Sequence, residues 1–197
     1  MLRNIESRAT MPMHPQHIVP PESLPRLTPD AYLELERESE TRHELVDGYL
    51  YAMTGATDRH DEIAGNLFAA LHAHLRGSGC RAHGSNLKVR VGDDFYYPDV
   101  FVRCAGERGD PYFKTDPVLI AEVLSPRTQC YDPGDKRLAY QALPTLREYL
   151  LIAQDEPRVE LLRRTDTGWE QVLVSVASEV LRLESVEMDL PLAELYA

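Results

Sequence analysis

Apolar positions recur at helical spacing in some parts of the chain and in short blocks in others, and each change of pattern predicts a new element. Residues 28–30 read Thr-Pro-Asp, which is the order of an N-cap, a proline at the first helical position and an acid in the first turn. They predict a short amphipathic helix that ends near Thr41. Its apolar positions are Tyr32, Leu33 and Leu35.

A hairpin and a longer helix are predicted next. Asp47-Gly48 lies between two apolar-rich runs, and this pair favours a type I′ turn because both central residues of that turn need a positive φ. An apolar stripe then predicts a helix over about 60–76, which Gly77 and Gly79 end. The stripe consists of Ile63, Leu67, Phe68, Leu71 and Leu75.

The rest of the chain is mainly strand-like, with one further helix predicted over about 134–143. The last 20 residues mix acidic and apolar types and predict a short strand or helix against the core. This order predicts a mixed central sheet flanked by helices, in the α/β or α+β class. The predicted strands lie within residues 80–84, 86–92, 95–104, 116–125, 147–153, 158–164 and 169–176.

The composition predicts one domain and a tail. Residues 1–26 contain five prolines and no apolar periodicity, so they are interpreted as a flexible extension, and residues 27–197 as a single domain. No apolar run approaches the ~18 residues of a membrane helix, and no secretory signal is recognisable, so a cytoplasmic protein is expected. The cysteines Cys80, Cys104 and Cys130 are odd in number and scattered, which predicts reduced thiols rather than a disulfide framework.

Charge limits the possible functions. The 197 residues include 21 Lys and Arg against 32 Asp and Glu, a formal net charge of −11. A generic nucleic-acid-binding protein carries a basic stripe or a high isoelectric point, and this chain has a pI near 5.1. Any action on nucleic acid must therefore depend on a local basic patch, or on metal ions that offset the negative charge.

Two carboxylates stand where the pattern predicts buried strands. Glu122 lies within residues 118–124, which are apolar on both strand faces, and an unpaired carboxylate there would cost several kcal/mol. Asp99 follows Pro98 at the start of another strand. Acids on neighbouring strands can converge on one divalent cation, and Mg²⁺ prefers oxygen ligands of this kind. Taken separately, each acid has a simpler interpretation. Glu122 fits a salt-bridged residue at a strand end as well as it fits a metal ligand, and Asp99 fits an ordinary turn residue.

The residues around these acids resemble a known family. Pro98-Asp99, followed after 22 residues by Glu122-Val123-Leu124, is similar to the core of the PD-(D/E)XK nucleases. The segments His-Glu-Leu-Val-Asp-Gly at 43–48 and Glu-Val-Leu-Ser-Pro-Arg-Thr at 122–128 resemble the Uma family of restriction endonucleases. A downstream pattern adds to this resemblance, which covers roughly residues 27–197. The downstream residues are Asp132, Lys136, Tyr140, Glu148 and Tyr149.

The resemblance implies a restriction-endonuclease-like fold with a metal site at one sheet edge. It implies that Asp99 and Glu122 bind Mg²⁺, or Mn²⁺ in its place, and that Glu44 is the third acid. It also implies DNA as the substrate. A homodimer is expected, because cutting both strands of a duplex suits a two-fold symmetric enzyme. For Glu44, a surface pair with Arg42 is the alternative interpretation.

One position departs from the superfamily pattern. A lysine is expected two residues after the acid, and this chain has Leu124, which shares the strand face of Glu122. Leucine neither orients a water molecule nor stabilises negative charge. Lys136, on the helix that follows, is the candidate replacement, with Tyr140 one turn later on the same side. The alternative is that Lys136 is an ordinary solvated helix lysine.

Other charged residues are weaker candidates. His60, in the first turn of its helix, is more typical of a solvent-exposed position, although it could face the site. Arg127 and Thr128 could donate hydrogen bonds to a phosphate. Lys88 and Arg90, with Arg81 nearby, form the best local basic strip, but an ordinary polar strand face is more typical. A zinc site made of His72, His74, Cys80 and His83 is not favoured. His72 and His74 are two residues apart on a helix, so they point to opposite sides of it.

The sequence thus predicts a Mg²⁺- or Mn²⁺-dependent endonuclease of DNA. Asp99 and Glu122 would hold the metal, Glu44 would join directly or through water, and Lys136 would orient the attacking water. The alternative is a non-catalytic descendant of the fold that serves as a nucleic-acid or protein interaction module. The net charge favours this alternative, and the two acids in apolar strands favour the enzyme.

Overall fold

The computed structural model describes residues 26–104, 106, 109–124, 133–176 and 179–197. The predicted extension, apart from Arg26, lies outside this range. So does the segment 125–132, with the candidate phosphate donors Arg127 and Thr128 and with Cys130.

The described elements follow the predicted order, except that the strand predicted within 95–104 is divided into two strands that lie in different sheets. The helices are α1 (Pro29–Glu38), α2 (Asp58–His74), α3 (Pro133–Gln141) and α4 (Leu192–Leu195). The first seven strands are β1 (His43–Val46), β2 (Tyr49–Ala52), β3 (Arg81–Gly84), β4 (Lys88–Val91), β5 (Asp94–Tyr96), β6 (Val100–Arg103) and β7 (Phe113–Lys114). The other six are β8 (Leu119–Leu124), β9 (Glu148–Ala153), β10 (Val159–Thr165), β11 (Gly168–Val174), β12 (Val180–Leu183) and β13 (Met188–Pro191).

The strands form a six-stranded sheet, a five-stranded sheet and a hairpin. The six-stranded sheet has the order β11-β10-β9-β8-β6-β3, and the five-stranded sheet has the order β2-β1-β5-β4-β7. In the larger sheet β8 and β9 are parallel and are connected through α3, whereas its other neighbours are antiparallel. The chain is therefore a mixed α+β protein with mixed sheets flanked by a few helices, which confirms the predicted fold class.

Both faces of the six-stranded sheet are covered. On one face, Ala121 and its neighbours pack against α2 and against the C-terminal β12, β13 and α4. On the other face, Ile120 packs with α3 and with β4 and β5 of the smaller sheet. Strand β9 is buried at all six positions, as expected for a continuous apolar run covered on both sides. Helix α1 packs on the smaller sheet through Tyr32, which contacts Leu45 and Phe95.

The Asp47-Gly48 turn connects β1 and β2 as the sequence predicts. Asp47 has φ 51° and Gly48 has φ 81°, the two positive values that a type I′ turn requires. The helix boundaries differ from the predicted ones by one to three residues. Helix α1, for example, ends at Glu38 rather than near Thr41. No described helix combines the length and apolarity required to cross a membrane.

The prediction of reduced thiols is wrong for two of the three cysteines. Cys80 and Cys104 form a disulfide. Strands β3 and β6 are antiparallel with Arg81 opposite Arg103, so one further step in that register brings the two cysteines face to face. Their separation of 24 residues gave no indication of this pairing. The cysteine content therefore no longer supports a reducing compartment.

Gly48→Ala should destabilise the fold by about 1–2 kcal/mol, because L residues resist a positive φ. The added Cβ would also stand 2.7 Å from the Cβ of Arg26. Urea denaturation measures the loss. Gly55→Ala is the matched control, because nothing lies within 4 Å of its added Cβ. Equal denaturation midpoints for the two variants would show that the turn does not require glycine.

Candidate active site

The two predicted strand acids lie next to each other across β6 and β8. Val100 is opposite Ala121 in this antiparallel pair, and one further step in the register puts Asp99 opposite Glu122. Residues directly opposite share a sheet face, with Cβ atoms about 4.5–5.5 Å apart. The Oδ2 of Asp99 also accepts a hydrogen bond of 2.7 Å from the backbone N–H of Val123. The fold thus brings together the two carboxylates that the sequence singled out.

Glu44 reaches the same site from β1, in the smaller sheet. Its Oε1 accepts a 2.8 Å hydrogen bond from the Nζ of Lys136 and a 3.0 Å bond from the backbone N–H of Tyr97. The alternative of a surface pair with Arg42 is wrong, because the Arg42 guanidinium donates to the carbonyl of Ser85 instead. Glu44 is 13% exposed at its side chain and is held from both sides.

Lys136 lies between two of the three acids. Its Nζ is 2.8 Å from the Oε1 of Glu44 and 3.7 Å from the Oε1 of Glu122. Helix α3 crosses the same sheet face as Glu122, and this crossing points the lysine into the site rather than to solvent. Lys136 is thus not an ordinary solvated helix lysine. Leu124 shares the face of Glu122 and packs in the apolar cluster beside it.

Tyr140 fixes Glu122 from one turn further along α3. Its hydroxyl donates a 2.9 Å hydrogen bond to the Oε1 of Glu122, and the residue is fully buried. Burial, together with the charges of Glu122 and Glu44, raises the pKa of the Tyr140 hydroxyl well above its ordinary value. The hydroxyl therefore keeps its proton and acts as a donor. Its ring packs edge-on against the rings of Tyr96 and Tyr149.

His60 also lies in the site, so the interpretation that it is solvent-exposed is wrong. Its Nε2 is 3.0 Å from the Oδ1 of Asp99, and its side chain is 16% exposed. Thr57 caps α2 by accepting a hydrogen bond from the backbone N–H of His60. This first turn of α2 points the imidazole at Asp99. The hydrogen bond with Asp99 raises the pKa of His60, although burial opposes the shift.

The surroundings of Glu122 raise the proton affinity of its carboxylate. Burial raises the pKa of Glu122 to about 7, and the carboxylates of Asp99 and Glu44 add to the shift, whereas Lys136 and the Tyr140 hydroxyl oppose it. Burial alone would lower the pKa of Lys136, but Glu122, Glu44 and Asp99 together hold it above its ordinary value. Lys136 is therefore a fixed cation, and Glu122 titrates near neutral pH.

The residues can be compared with the needs of a divalent metal. Within the described parts of the chain, no three His, Cys, Asp or Glu side chains form a ready-made metal cluster. Lys136 stands between Glu44 and Glu122, and the Nε2 of His60 is 3.0 Å from the Oδ1 of Asp99. The donor chemistry nevertheless fits Mg²⁺ or Mn²⁺. Among the described residues, the three carboxylates face one ammonium, which contacts Glu44 and Glu122, so hard oxygen ligands outnumber that fixed cation.

The other candidate groups lie elsewhere. Lys88 is 8% exposed and donates to the hydroxyl of Tyr97, so β4 does not have the polar face that was expected there. The zinc alternative stays unsupported, because Cys80 is in a disulfide and the Nε2 of His74 contacts the carbonyl of Val186.

Comparisons with known proteins agree with this fold. Residues 29–193 match the family model Uma2, described as "Putative restriction endonuclease". The uncharacterized protein slr1290 of Synechocystis sp. is 34% identical over 180 residues, covering 90% of this chain and 95% of its own. Another uncharacterized protein of that organism, sll1609, is 30% identical over 153 residues, covering 73% and 84%.

A solved structure extends the agreement to three dimensions. The crystal structure of a "putative nuclease" from Anabaena variabilis has a TM-score of 0.67 to this chain. It covers 86% of this chain and 97% of its own, at 20% sequence identity. At that identity the likeness supports the fold alone.

The Glu122 carboxylate makes stability depend on pH. The pKa of Glu122 is about 7 in the native state and lower in the unfolded state. The stabilisation that the protonated carboxyl gives to the native state is therefore complete below about pH 4 and is lost as the pH rises through 7. Between pH 5 and pH 8, wild type in EDTA should lose about 2–3 kcal/mol of unfolding free energy relative to Glu122→Gln.

Urea titrations at both pH values measure this difference. Glu156→Gln, at an exposed acid that pairs with Arg158, is the control and should follow wild type. Parallel pH profiles for wild type and Glu122→Gln would contradict the raised pKa.

Proposed function

The chain belongs to the Uma2 family, and from that premise we propose that it is a Mg²⁺-dependent endonuclease that hydrolyses phosphodiester bonds of DNA. The observation that supports the proposal is the juxtaposition of Asp99 and Glu122 on neighbouring strands, with Lys136 beside them. A nuclease needs a charged group at the attacking water and positive charge at the phosphate, and these residue types can supply both. We extend the proposal to a homodimer, because two active sites can cut both strands of a duplex.

Asp99 and Glu122 are the residues that would hold the metal, with Glu44 joining directly or through a water molecule. When bound, a divalent ion offsets the charge of the phosphate and lowers the pKa of a coordinated water. The excess negative charge of the three acids favours such an ion. A cation bound there would offset the repulsion between a phosphate backbone and a chain with a net charge of −11.

Lys136 is the residue that would act on the water or on the developing negative charge. It replaces the lysine that the superfamily carries on the strand, where this chain has Leu124. The ammonium keeps its proton because Glu122 and Glu44 surround it, so its role is to donate hydrogen bonds and charge rather than to accept a proton. Tyr140 and His60 orient Glu122 and Asp99, respectively.

A non-catalytic interaction module is the second candidate. The contact of Lys136 with both Glu44 and Glu122 favours it, because the site already neutralises much of its own charge without a metal. The two candidates differ in one measurable property. An enzyme of this type binds Mn²⁺ at millimolar concentration, and a module whose acids are structural does not.

Asp99→Asn and Glu122→Gln keep the side-chain shape and remove one charge each. Either change should weaken Mn²⁺ binding by at least about tenfold and abolish nicking of plasmid DNA. Calorimetry and gel electrophoresis measure the two effects. Asp93→Asn is the control, since Asp93 is exposed and pairs with Arg90 away from the site. Wild-type Mn²⁺ affinity in Glu122→Gln would refute the metal assignment.

Lys136→Met should reduce nicking by roughly 10²–10³-fold, the loss seen when one electrostatic donor to a transition state is removed. Mn²⁺ affinity should stay the same or increase, because the lysine no longer neutralises Glu44 and Glu122. Lys136→Arg should restore little activity, since a planar guanidinium does not replace a compact ammonium. The double change Leu124→Lys with Lys136→Leu tests whether the strand position can still host the cation.

Two results would contradict the lysine assignment. One is equal nicking by wild type and Lys136→Met. The other is a large loss of Mn²⁺ affinity in Lys136→Met, which would mean that the lysine holds the acids in place rather than serving the reaction.

A further inference from the structure

Arg42 lies at the edge of the proposed active site, one residue before β1. Its carbonyl oxygen accepts a 2.8 Å hydrogen bond from the backbone N–H of Met53, so the pairing of β1 with β2 continues as far as this residue. Side chains two positions apart on a strand share a face, and Glu44 is two positions further along. Arg42 therefore points to the same side of the smaller sheet as Glu44, about 7 Å away at ~3.3 Å per residue.

The side chain of Arg42 also reaches the larger sheet. Its Nη1 donates a 2.6 Å hydrogen bond to the carbonyl of Ser85 and a 2.9 Å hydrogen bond to the Oδ1 of Asn86. The last residue of β3, directly before Ser85, is paired with the residue directly after Asp99. Ser85 and Asp99 are thus at the same end of β3 and β6. Arg42 therefore extends from the strand that carries Glu44 to the strand end that carries Asp99.

The two hydrogen bonds fix the guanidinium of Arg42 and leave one of its edges for a ligand. Both bonds come from Nη1, which carries two of the five N–H donors of an arginine. The other three donors are on Nε and Nη2, and no group in the described parts of the chain accepts from them. Nε and Nη2 form a planar fork that matches two oxygens of a phosphate. The ring of Tyr97, 5.8 Å from the guanidinium carbon, supports this orientation.

The charge of Arg42 is available to a substrate. Its guanidinium keeps its proton at any ordinary pH, and the residue is exposed. Among the described residues, no acid lies within ion-pair distance of it, whereas the ammonium of Lys136 is paired with Glu44 and Glu122. An exposed cation beside an acidic site can attract an anionic strand that the acids repel.

We propose that Arg42 binds a phosphate of the nucleic-acid backbone through Nε and Nη2, within two nucleotides of the cleaved bond. Successive phosphates of one strand are about 3.4 Å apart along the helix axis, so the 7 Å between Arg42 and Glu44 corresponds to about two of them. That the phosphate belongs to nucleic acid rests on the proposed nuclease function. Arg42 holds the strand before and during the reaction, so it lowers KM, whereas Lys136 acts on kcat.

Arg42→Gln removes both the charge and the fork. In plasmid nicking with Mn²⁺, it should raise the KM for DNA roughly tenfold and change kcat by less than about threefold. Arg42→Lys keeps the charge without the fork and should raise KM by about threefold. Arg182→Gln is the control and should behave as wild type, because it makes the same charge change at an exposed arginine of β12 that pairs with Asp189. Thermal melting shows whether each variant is folded.

Binding of a fluorescent DNA duplex in EDTA at low salt tests Arg42 without cleavage. Arg42→Gln should bind roughly tenfold more weakly and should reduce the slope of log affinity against log salt by about 0.9, the value for one phosphate contact. Its affinity for Mn²⁺, measured by calorimetry without DNA, should stay the same or rise, because a positive charge beside the acids is removed. A weaker Mn²⁺ affinity would instead show that Arg42 only holds the strand end at Asp99 in place.

The outcomes separate this proposal from the nuclease proposal. If wild type nicks DNA and folded Arg42→Gln does so with an unchanged KM, Arg42 does not bind the substrate and the nuclease proposal stands. If wild type nicks no DNA but Arg42→Gln weakens duplex binding with the expected slope, the nuclease proposal fails and Arg42 remains a phosphate ligand.

Two further results would overturn the proposal. One is a wild type that does not bind the duplex at low salt, with or without a divalent cation. The other is an equal loss of duplex affinity in Arg182→Gln, which would show that net charge determines binding and that the position of Arg42 does not.

Discussion

The contact of Lys136 with Glu44 and Glu122 is the interaction that offsets the cost of burying two carboxylates side by side. It joins three separate parts of the fold, because Glu44 is on the smaller sheet, Glu122 on the larger sheet and Lys136 on α3. Each carboxylate is mostly buried, and burial of a carboxylate is tolerated when an opposite charge and hydrogen-bond donors are at hand. The ammonium of Lys136 thus allows the two sheets to pack together at the place where Glu44 and Glu122 are buried.

The charges of the acids and of Lys136 do not balance at this place. Lys136 contacts Glu44 and Glu122 but not Asp99. Burial, with the neighbouring carboxylates of Asp99 and Glu44, raises the pKa of Glu122 to about 7. Tyr140 and His60 hold two of the acids in fixed orientations, so the carboxylates cannot turn away from one another. Clustered carboxylates of this kind repel one another, so the cluster is expected to lower the stability of the protein when no cation is bound. It is the arrangement expected of a site whose missing charge arrives with a ligand.

The sequence predicted the parts of this arrangement that depend on local pattern. The apolar run around Glu122 identified a buried strand, strict alternation put Leu124 on the same face, and Asp47-Gly48 identified the hairpin. The contact between Lys136 and Glu44 joins residues 92 positions apart, and the family resemblance, not periodicity, brought these two residues into one hypothesis. Their actual contact depends on how α3 crosses the sheet.

Other features depend on tertiary geometry that no local pattern encodes. The first turn of α2 could have faced solvent, and only its packing on the sheet brings His60 to Asp99. The disulfide depends on the register of β3 and β6, which also brings Arg81 opposite Arg103. The sequence pattern grouped Arg81 with Lys88 and Arg90, but Lys88 is buried beside Tyr97. The predicted basic strip is therefore divided between two sheets, with Arg81 on β3 and Lys88 and Arg90 on β4.

The most direct test of the central claim is a crystal of the protein soaked in Mn²⁺ and measured at a wavelength where manganese scatters anomalously. If both acids hold the metal, an anomalous peak is expected within about 2.2 Å of carboxylate oxygens of both Asp99 and Glu122, which is the bond length that ions of the Mg²⁺ type prefer. Lys136 should remain beside it, in contact with at least one of the acids. A map without that peak at millimolar Mn²⁺, with Lys136 still between Glu44 and Glu122, would contradict the account.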